Sequence, residues 1–336
     1  MNALKQLIMI FVICVYLFCF YLSPYFIYWY TGKAILFGGL IVKTVLISYV
    51  IYILVSYFVY HNTLDGIGFY FLRSKKFVGI TRDYFPVEIR KTAELPPNRN
   101  YVLAHFPHGI LTIALAINLL LDIEPFLRLF PGIRPKVATL NINFGTPFLR
   151  EIIRLFGYIS SSKPALLHYL QKSNDPAHPD NSDGYTSYMV ALSVGGTQEA
   201  MQTRPGEYLI VLKRRMGFVK LAIQTGSPIV PSFGFGDNDI YTPLDKTWFR
   251  PVQMFYKKLF RYAPMLFKGR ANTVVPYRKK ITLVVGSPID VKRTANPDPA
   301  YVEEIHAKVV EGVRQLFETY KSEYIENSEE TQLIIT

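Results

Sequence analysis

Residues 104–111 read AHFPHGIL and hold two of the chain's six histidines. A neutral imidazole accepts a proton at neutral pH, which makes His108 a candidate general base. The turn at Phe106-Pro107 predicts a helix that begins near His108. Proline suits the first turn of a helix, and the positive end of the helix dipole there disfavours imidazolium. His105 is expected to leave the preceding strand on the other side, and ranks second. On these residues alone, a histidine in a purely structural turn is an equal alternative.

A second group lies in MVALSVGGTQEAMQTRPGE (189–207). A strand runs into Gly195-Gly196, which permit close backbone approach to a ligand. Glu199 follows just past the strand end, where ligands of open α/β sheets bind. An exposed glutamate after a tight turn is the plainer reading. A third group is LKRRMGFVKLA (212–222), where Lys213, Arg214 and Arg215 reach a strand end before an amphipathic helix carrying Lys220. Cations grouped with backbone amides suit phosphate groups, against the alternative of a solvated face. The serines at 160–162 have no neighbouring base in sequence and are not read as nucleophiles. The histidines and carboxylates show no metal-ligand spacing, so no metal is expected.

These residues need a common edge to stand on. YVLAH (101–105), KVATLNI (136–142), MVALSV (189–194), EYLIVL (207–212), SPIVPSF (227–233) and KITLVVG (280–286) read as strands. GILTIALAINLLL (109–121), TPFLREIIRLFG (146–157), KPALLHYLQK (163–172) and RMGFVKLAIQTG (215–226) read as helices. The alternation predicts an α/β domain, a mostly parallel sheet flanked by helices. A last helix is expected from Pro299, capped by Asp298, with Val302, Ile305, Val309, Val313, Leu316, Phe317 and Tyr320 on one face. The polar stretch 174–187 reads as a surface loop.

Ahead of this domain, Leu7–Tyr30 has no charged residue and Ala34–Tyr60 has one, Lys43. Each run is long enough for a hydrocarbon layer of roughly 30 Å. Only Thr31-Gly32-Lys33 separates them, so a transmembrane hairpin is expected, with a cleaved signal peptide as the minor alternative. Arg73, Lys75 and Lys76 place its far end in the cytosol. The only cysteines, Cys14 and Cys19, fall in the first run, and no Asn-x-Ser/Thr acceptor occurs. Both features suit a cytosolic body. The expected organisation is a hairpin over 1–60, a catalytic domain over 61–325 and a disordered tail over 326–336.

Net charge is +12, and residues 200–280 hold fifteen Lys/Arg against four Asp/Glu. Such an excess serves an anionic membrane surface or a multiply phosphorylated small molecule, and nucleic acid is the weakest choice. Within it, 244–270 interleaves aromatic residues with Lys and Arg, a composition for the lipid headgroup boundary.

The order AHFPHGIL, VATLNINFGTPFLRE, VGGTQE, RRMGFVKLA, VPSFGFGDND and VPYRKKITLVVGSPI, with RDYFP before it, resembles the type-2 diacylglycerol acyltransferase family. That family includes monoacylglycerol and wax-alcohol acyltransferases. The likeness runs from about residue 60 to 320. It implies an integral endoplasmic-reticulum enzyme, reaching lipid droplets, that moves an acyl group from acyl-CoA to a neutral glyceride or alcohol hydroxyl. No cofactor beyond the co-substrate acyl-CoA is implied; the implied partners are that thioester, the acceptor and the membrane or droplet surface, with homo-oligomerisation open.

The family's His-Pro-His-Gly signature stands here as Phe106-Pro107-His108-Gly109, its second histidine kept and its first replaced. By resemblance, His108, Glu199 and Gly109 are catalytic, amides near Gly109 stabilising the oxyanion. Phe106, Pro107, Gly195, Gly196, Arg214, Arg215 and Lys220 are expected to bind substrate, the cations holding CoA phosphates. Related glycerolipid acyltransferases place an aspartate five residues after the histidine. Ile113 stands there, so Glu199 or another carboxylate must orient His108. The expected reaction makes triacylglycerol from diacylglycerol by direct attack on the thioester. A monoacylglycerol, long-chain alcohol or phosphorylated acceptor, and a non-catalytic lipid-surface protein, are the alternatives; Phe106 keeps the last open.

Overall fold

A run of six fully buried residues, Tyr101–Phe106, forms β2 at the centre of the molecule. The computed structural model describes residues 29–30, 32–34, 36–58, 83–146, 149–181, 183–260 and 262–336. Around β2 stand β1 (Val87–Lys91), β3 (Ile133–Thr139), β4 (Ile159–Ser160), β5 (Ser187–Ser193), β7 (Ile229–Phe235) and β10 (Ile281–Val285). They make a seven-stranded sheet in the order β1-β10-β7-β2-β5-β3-β4. Every neighbouring pair is parallel except β10 with β7. The carboxyl ends of β2, β3, β5 and β7 therefore share one edge.

Side-chain alternation along β2 divides the core. Val102, Ala104 and Phe106 join one cluster with Val219 and Ala222 of α7 (Gly217–Thr225) and Val309 and Val313 of α9 (Pro299–Tyr324). Tyr101 and Leu103 join the opposite cluster with Leu119, Phe126 and Ile153. Parallel strands buried on both faces read as apolar runs, which is why the sequence marks them well. The long last helix α9 begins as expected. Asp298 accepts from the Ala300 N–H, and the face from Val302 to Phe317 is buried.

Two expectations fail. The stretch 109–121 does not start a helix at His108: Gly109 (φ 57°) and Thr112 (φ 49°) are left-handed. Helix α2 spans only Ile113–Leu115 and passes into a π-helix over Ala116–Leu121. The tail is not disordered either. Leu333–Ile335 forms β11, parallel to β6 (Tyr208–Ile210), and the Thr336 carbonyl accepts from the Leu212 and Lys213 N–H groups. Docking on an unpaired strand supplies the ladder bonds that a three-residue strand lacks alone.

Residues 1–28, with Cys14 and Cys19, lie outside the described residues, as do Arg73, Lys75 and Lys76. The second apolar run forms α1 (Leu40–Phe58), which exposes Leu40, Ile41, Val45 and Ile51. The Tyr49 hydroxyl donates to Glu151 at 2.7 Å, joining this helix to the domain. Among the described residues, no helix is long and apolar enough to cross a membrane.

Candidate active site

His108 sits beyond the carboxyl end of β2, partly open to a cleft of about 200 Å³. Its Nδ1 lies 3.0 Å from the Gly109 carbonyl. A carbonyl only accepts, so Nδ1 carries the proton and Nε2 keeps a lone pair. Burial lowers the basicity of the ring; the Gly109 bond and the Asp237 charge oppose this, and His105 adds to it. The imidazole is thus held neutral by burial, not by the helix dipole expected from the sequence. The amides of His108, Thr112 and Ala114 are bonded to Glu199, to the His108 carbonyl and to Asp237.

Glu199 lies in α6 (Gly196–Ala200), a short helix that begins directly after β5. It is almost fully buried and does not touch the His108 ring. One oxygen accepts from the His108 backbone N–H, and the other accepts from the Val211 N–H at 2.7 Å. Burial pushes its carboxyl up to about 7, against the lowering effect of the two N–H bonds and of Arg215. Glu199 therefore orients the backbone of His108, not its imidazole. Gly195 is required at its place because a Cβ there would collide with the Glu199 carboxylate, so it shapes the turn and does not line a cleft. Gly196 has a left-handed φ of 59° and does line the His108 cleft.

A second cleft of about 610 Å³ adjoins the first. Arg214, Arg215 and Lys220 line it, as expected, together with Lys163 at the start of α5 (Lys163–Leu170). Arg215 also donates to the Gly195 carbonyl at 2.9 Å and so ties the cation cluster to the glycine turn. The two clefts meet on Ser161, Leu192 and Ser193. Ser193 has a buried hydroxyl with no hydrogen-bond partner among the described residues. Apolar Leu111, Leu115, Val137 and Leu140 line the His108 cleft, with Tyr262, Ala263 and Met265 from the segment after α8 (Arg250–Phe260).

Phe106 and Pro107 do not line either cleft. Phe106 is fully buried in the core beside its register partner Phe233, so it serves packing and not substrate. His105 shares the face of β2 that carries Tyr101 and Leu103, whose cluster also walls the His108 cleft, and enters a closed polar pocket with Ser232 and Asp237; the sequence had set it on the other side from His108. Sequence reading missed Lys163, Ser193 and Asp237. Lys163 follows three serines at a strand end and Asp237 follows FGFG at another, which is the signal that was available. Among the described residues no cluster of three or more potential metal ligands is present.

The family model for diacylglycerol acyltransferase matches residues 39–336. Diacylglycerol O-acyltransferase 2 of Danio rerio is 35% identical over 262 residues, covering 75% of this chain and 70% of that protein. 2-Acylglycerol O-acyltransferase 1 of Bos taurus is 34% identical over 251 residues, covering 72% of each. The crystal structure of the 1-acyl-sn-glycerophosphate (LPA) acyltransferase PlsC from Thermotoga maritima aligns with 80% of this chain and 95% of its own. It does so at 13% identity and a TM-score of 0.33.

Proposed function

Because the chain belongs to the diacylglycerol acyltransferase family, we propose that this acyltransferase moves a fatty acyl group from acyl-CoA to the free hydroxyl of diacylglycerol, with His108 as general base. The observation that carries the mechanism is the join of a cationic cleft to an apolar one beside a neutral imidazole. Lys163, Arg214, Arg215 and Lys220 hold the CoA phosphates, and the thioester lies across Ser161, Leu192 and Ser193. Apolar walls around His108 take the lipid. His108 Nε2 removes the acceptor hydroxyl proton as that oxygen attacks the thioester carbon. The carbon–sulfur bond then breaks, and the imidazolium returns its proton to the CoA thiolate. Ser193 is the available donor to the oxyanion.

2-Acylglycerol is the second acceptor to test, favoured by nearly equal identity to a 2-acylglycerol O-acyltransferase. The exposed apolar face of α1, the apolar run before it and the basic domain support an endoplasmic-reticulum and lipid-droplet membrane location with the domain in the cytosol. Microsomes carrying the protein, labelled acyl-CoA and each acceptor in turn test the reading. His108→Ala should lower turnover roughly 10²–10⁴-fold, the range for loss of a general base, with little change in acyl-CoA binding. A folded His108→Ala protein with wild-type turnover would remove His108 from the mechanism.

A further inference from the structure

Directly beneath the His108 turn lies a buried histidine–carboxyl pair. His105 and Asp237 are both fully buried, and His105 Nε2 faces Asp237 Oδ2 at 3.5 Å. Neither of those two atoms has a hydrogen-bond partner among the described residues. On its far side His105 Nδ1 lies 3.2 Å from the Ser232 hydroxyl. The Ser232 hydroxyl has two acceptors in reach, the Ala104 carbonyl at 3.5 Å and His105 Nδ1; when it donates to Nδ1, the Nε2–H of His105 points at the carboxylate. The other carboxylate oxygen, Oδ1, accepts from the Ala114 N–H at 3.0 Å. Two glycines make room for this arrangement. A Cβ at Gly234 would press on both His105 and Asp237, and one at Gly109 would meet the Asp237 backbone at 3.0 Å.

A carboxylate this deeply buried is costly even with one N–H bond and an imidazole beside it, so its retention calls for a use. We propose that Asp237, held against His105 beneath the 106–114 turn, is the positioning carboxylate that stabilises the imidazolium formed at His108 as the acceptor hydroxyl loses its proton. The inference rests on the reading of His108 as base and supplies the acid that Ile113 cannot. Asp237 touches no cleft and acts only through His108. Its charge favours the protonated ring, against the burial that disfavours it. The other titratable groups around His108 are Glu199 of α6 at its backbone N–H, His105 itself, and Tyr158 and Tyr262 in the cleft wall. Glu199 spends both oxygens on backbone N–H groups, which leaves Asp237 as the carboxylate free to respond to the ring.

Full-length protein in microsomes provides the test. Asp237→Asn keeps an oxygen for Ala114 N–H, and its amide N–H can donate to the other tautomer of His105. The Ala114 bond survives and the charge does not. Turnover should fall on the order of 10–100-fold, below the loss for removing the base itself, with the acyl-CoA KM within about twofold. The acid limb of the turnover–pH profile should move to lower pH. His105→Gln keeps a donor toward Asp237 and should stay close to wild type, whereas His105→Phe should match Asp237→Asn. The double variant His105→Phe/Asp237→Asn should be no worse than either single one. A purely packing role would favour the ring-shaped Phe over Gln, the reverse order. Wild-type turnover and an unmoved acid limb in Asp237→Asn, with His108→Ala inactive, overturn this inference and leave the base assignment standing. Activity in His108→Ala overturns the base assignment instead. If Asp237→Asn does not accumulate, the order of the two His105 variants decides.

Discussion

Glu199 places one ionisable group between two backbone amides, and that makes it a recorder of pH. Burial raises its carboxyl to about 7 in the folded chain, above an ordinary value of 4.5. Between those values the folded state binds more protons than the unfolded one, so stability falls as pH rises through that window and is level above it. The full effect is on the order of 3 kcal/mol. Glu199→Gln removes the group that titrates. Thermal midpoints of the two proteins in detergent from pH 4.5 to 8 should show the wild type losing ground to the variant as pH rises. A constant gap between them contradicts the shift. At this scale the sequence was legible only in part. His108 stands out by its place between a strand and a glycine, although those residues alone fit a structural turn equally well, and the basic run 213–220 because cations cluster there. The work of Glu199 was not legible, since its partners are main-chain N–H groups that leave no mark on residue type. Asp237 pairs with a histidine 132 positions away in sequence, and only the β2–β7 register brings them together.

Among elements, the docked tail carries the clearest consequence. Strand β11 and the Thr336 carbonyl hold Leu212 and Lys213, immediately before Arg214 and Arg215 of the cationic cleft. Deleting 333–336 should raise the acyl-CoA KM several-fold while His108-dependent turnover at saturation changes less. An unchanged KM separates the tail from the cleft. The segment after β7 carries a second consequence. Helix α8 and the turn before it expose Trp248 (70%), Phe255 (62%) and Met254 (49%), alongside Arg250, Lys257 and Lys258. That mixture suits a headgroup boundary, as the sequence suggested. Trp248→Asp with Phe255→Asp in the full chain should reduce recovery of the protein with anionic liposomes; equal recovery would make this an ordinary surface segment. The central strands were legible to within a few residues because burial on both faces makes them continuous apolar runs. The 109–121 stretch was misread because a left-handed threonine carries no sequence signature, and β11 because its pairing partner lies 125 residues upstream.

For the whole molecule, the decisive arrangement is that one sheet edge collects His108, Ser193 and the turn that carries Asp237. Parallel β2, β3 and β5 deliver His108, Thr139 and Ser193 to the same end, with β7 leading to Asp237. That much follows from alternating strands and helices, and it is why the α/β reading from sequence succeeded where the helix start at His108 and the disordered tail did not. The membrane-facing reading of the molecule rests on apolar surface at two places, α1 ahead of the sheet in sequence and α8 between β7 and β10.

The three residues common to both clefts have a further consequence for inhibitor chemistry. On the proposed reading, Ser161, Leu192 and Ser193 form a seam that would bring acyl-CoA and its acceptor side by side. A stable conjugate with CoA on one side and a glyceryl ether lipid on the other, joined through a tetrahedral carbon at the sulfur, would bridge that seam as a single ligand. Its second half would bind at the high effective concentration set by a short linker, exceeding either half alone by roughly 10²–10⁴-fold. Competition against labelled acyl-CoA measures this directly. A conjugate no tighter than CoA itself would mean that the two clefts are never filled together, and that acyl transfer across the seam proceeds one substrate at a time.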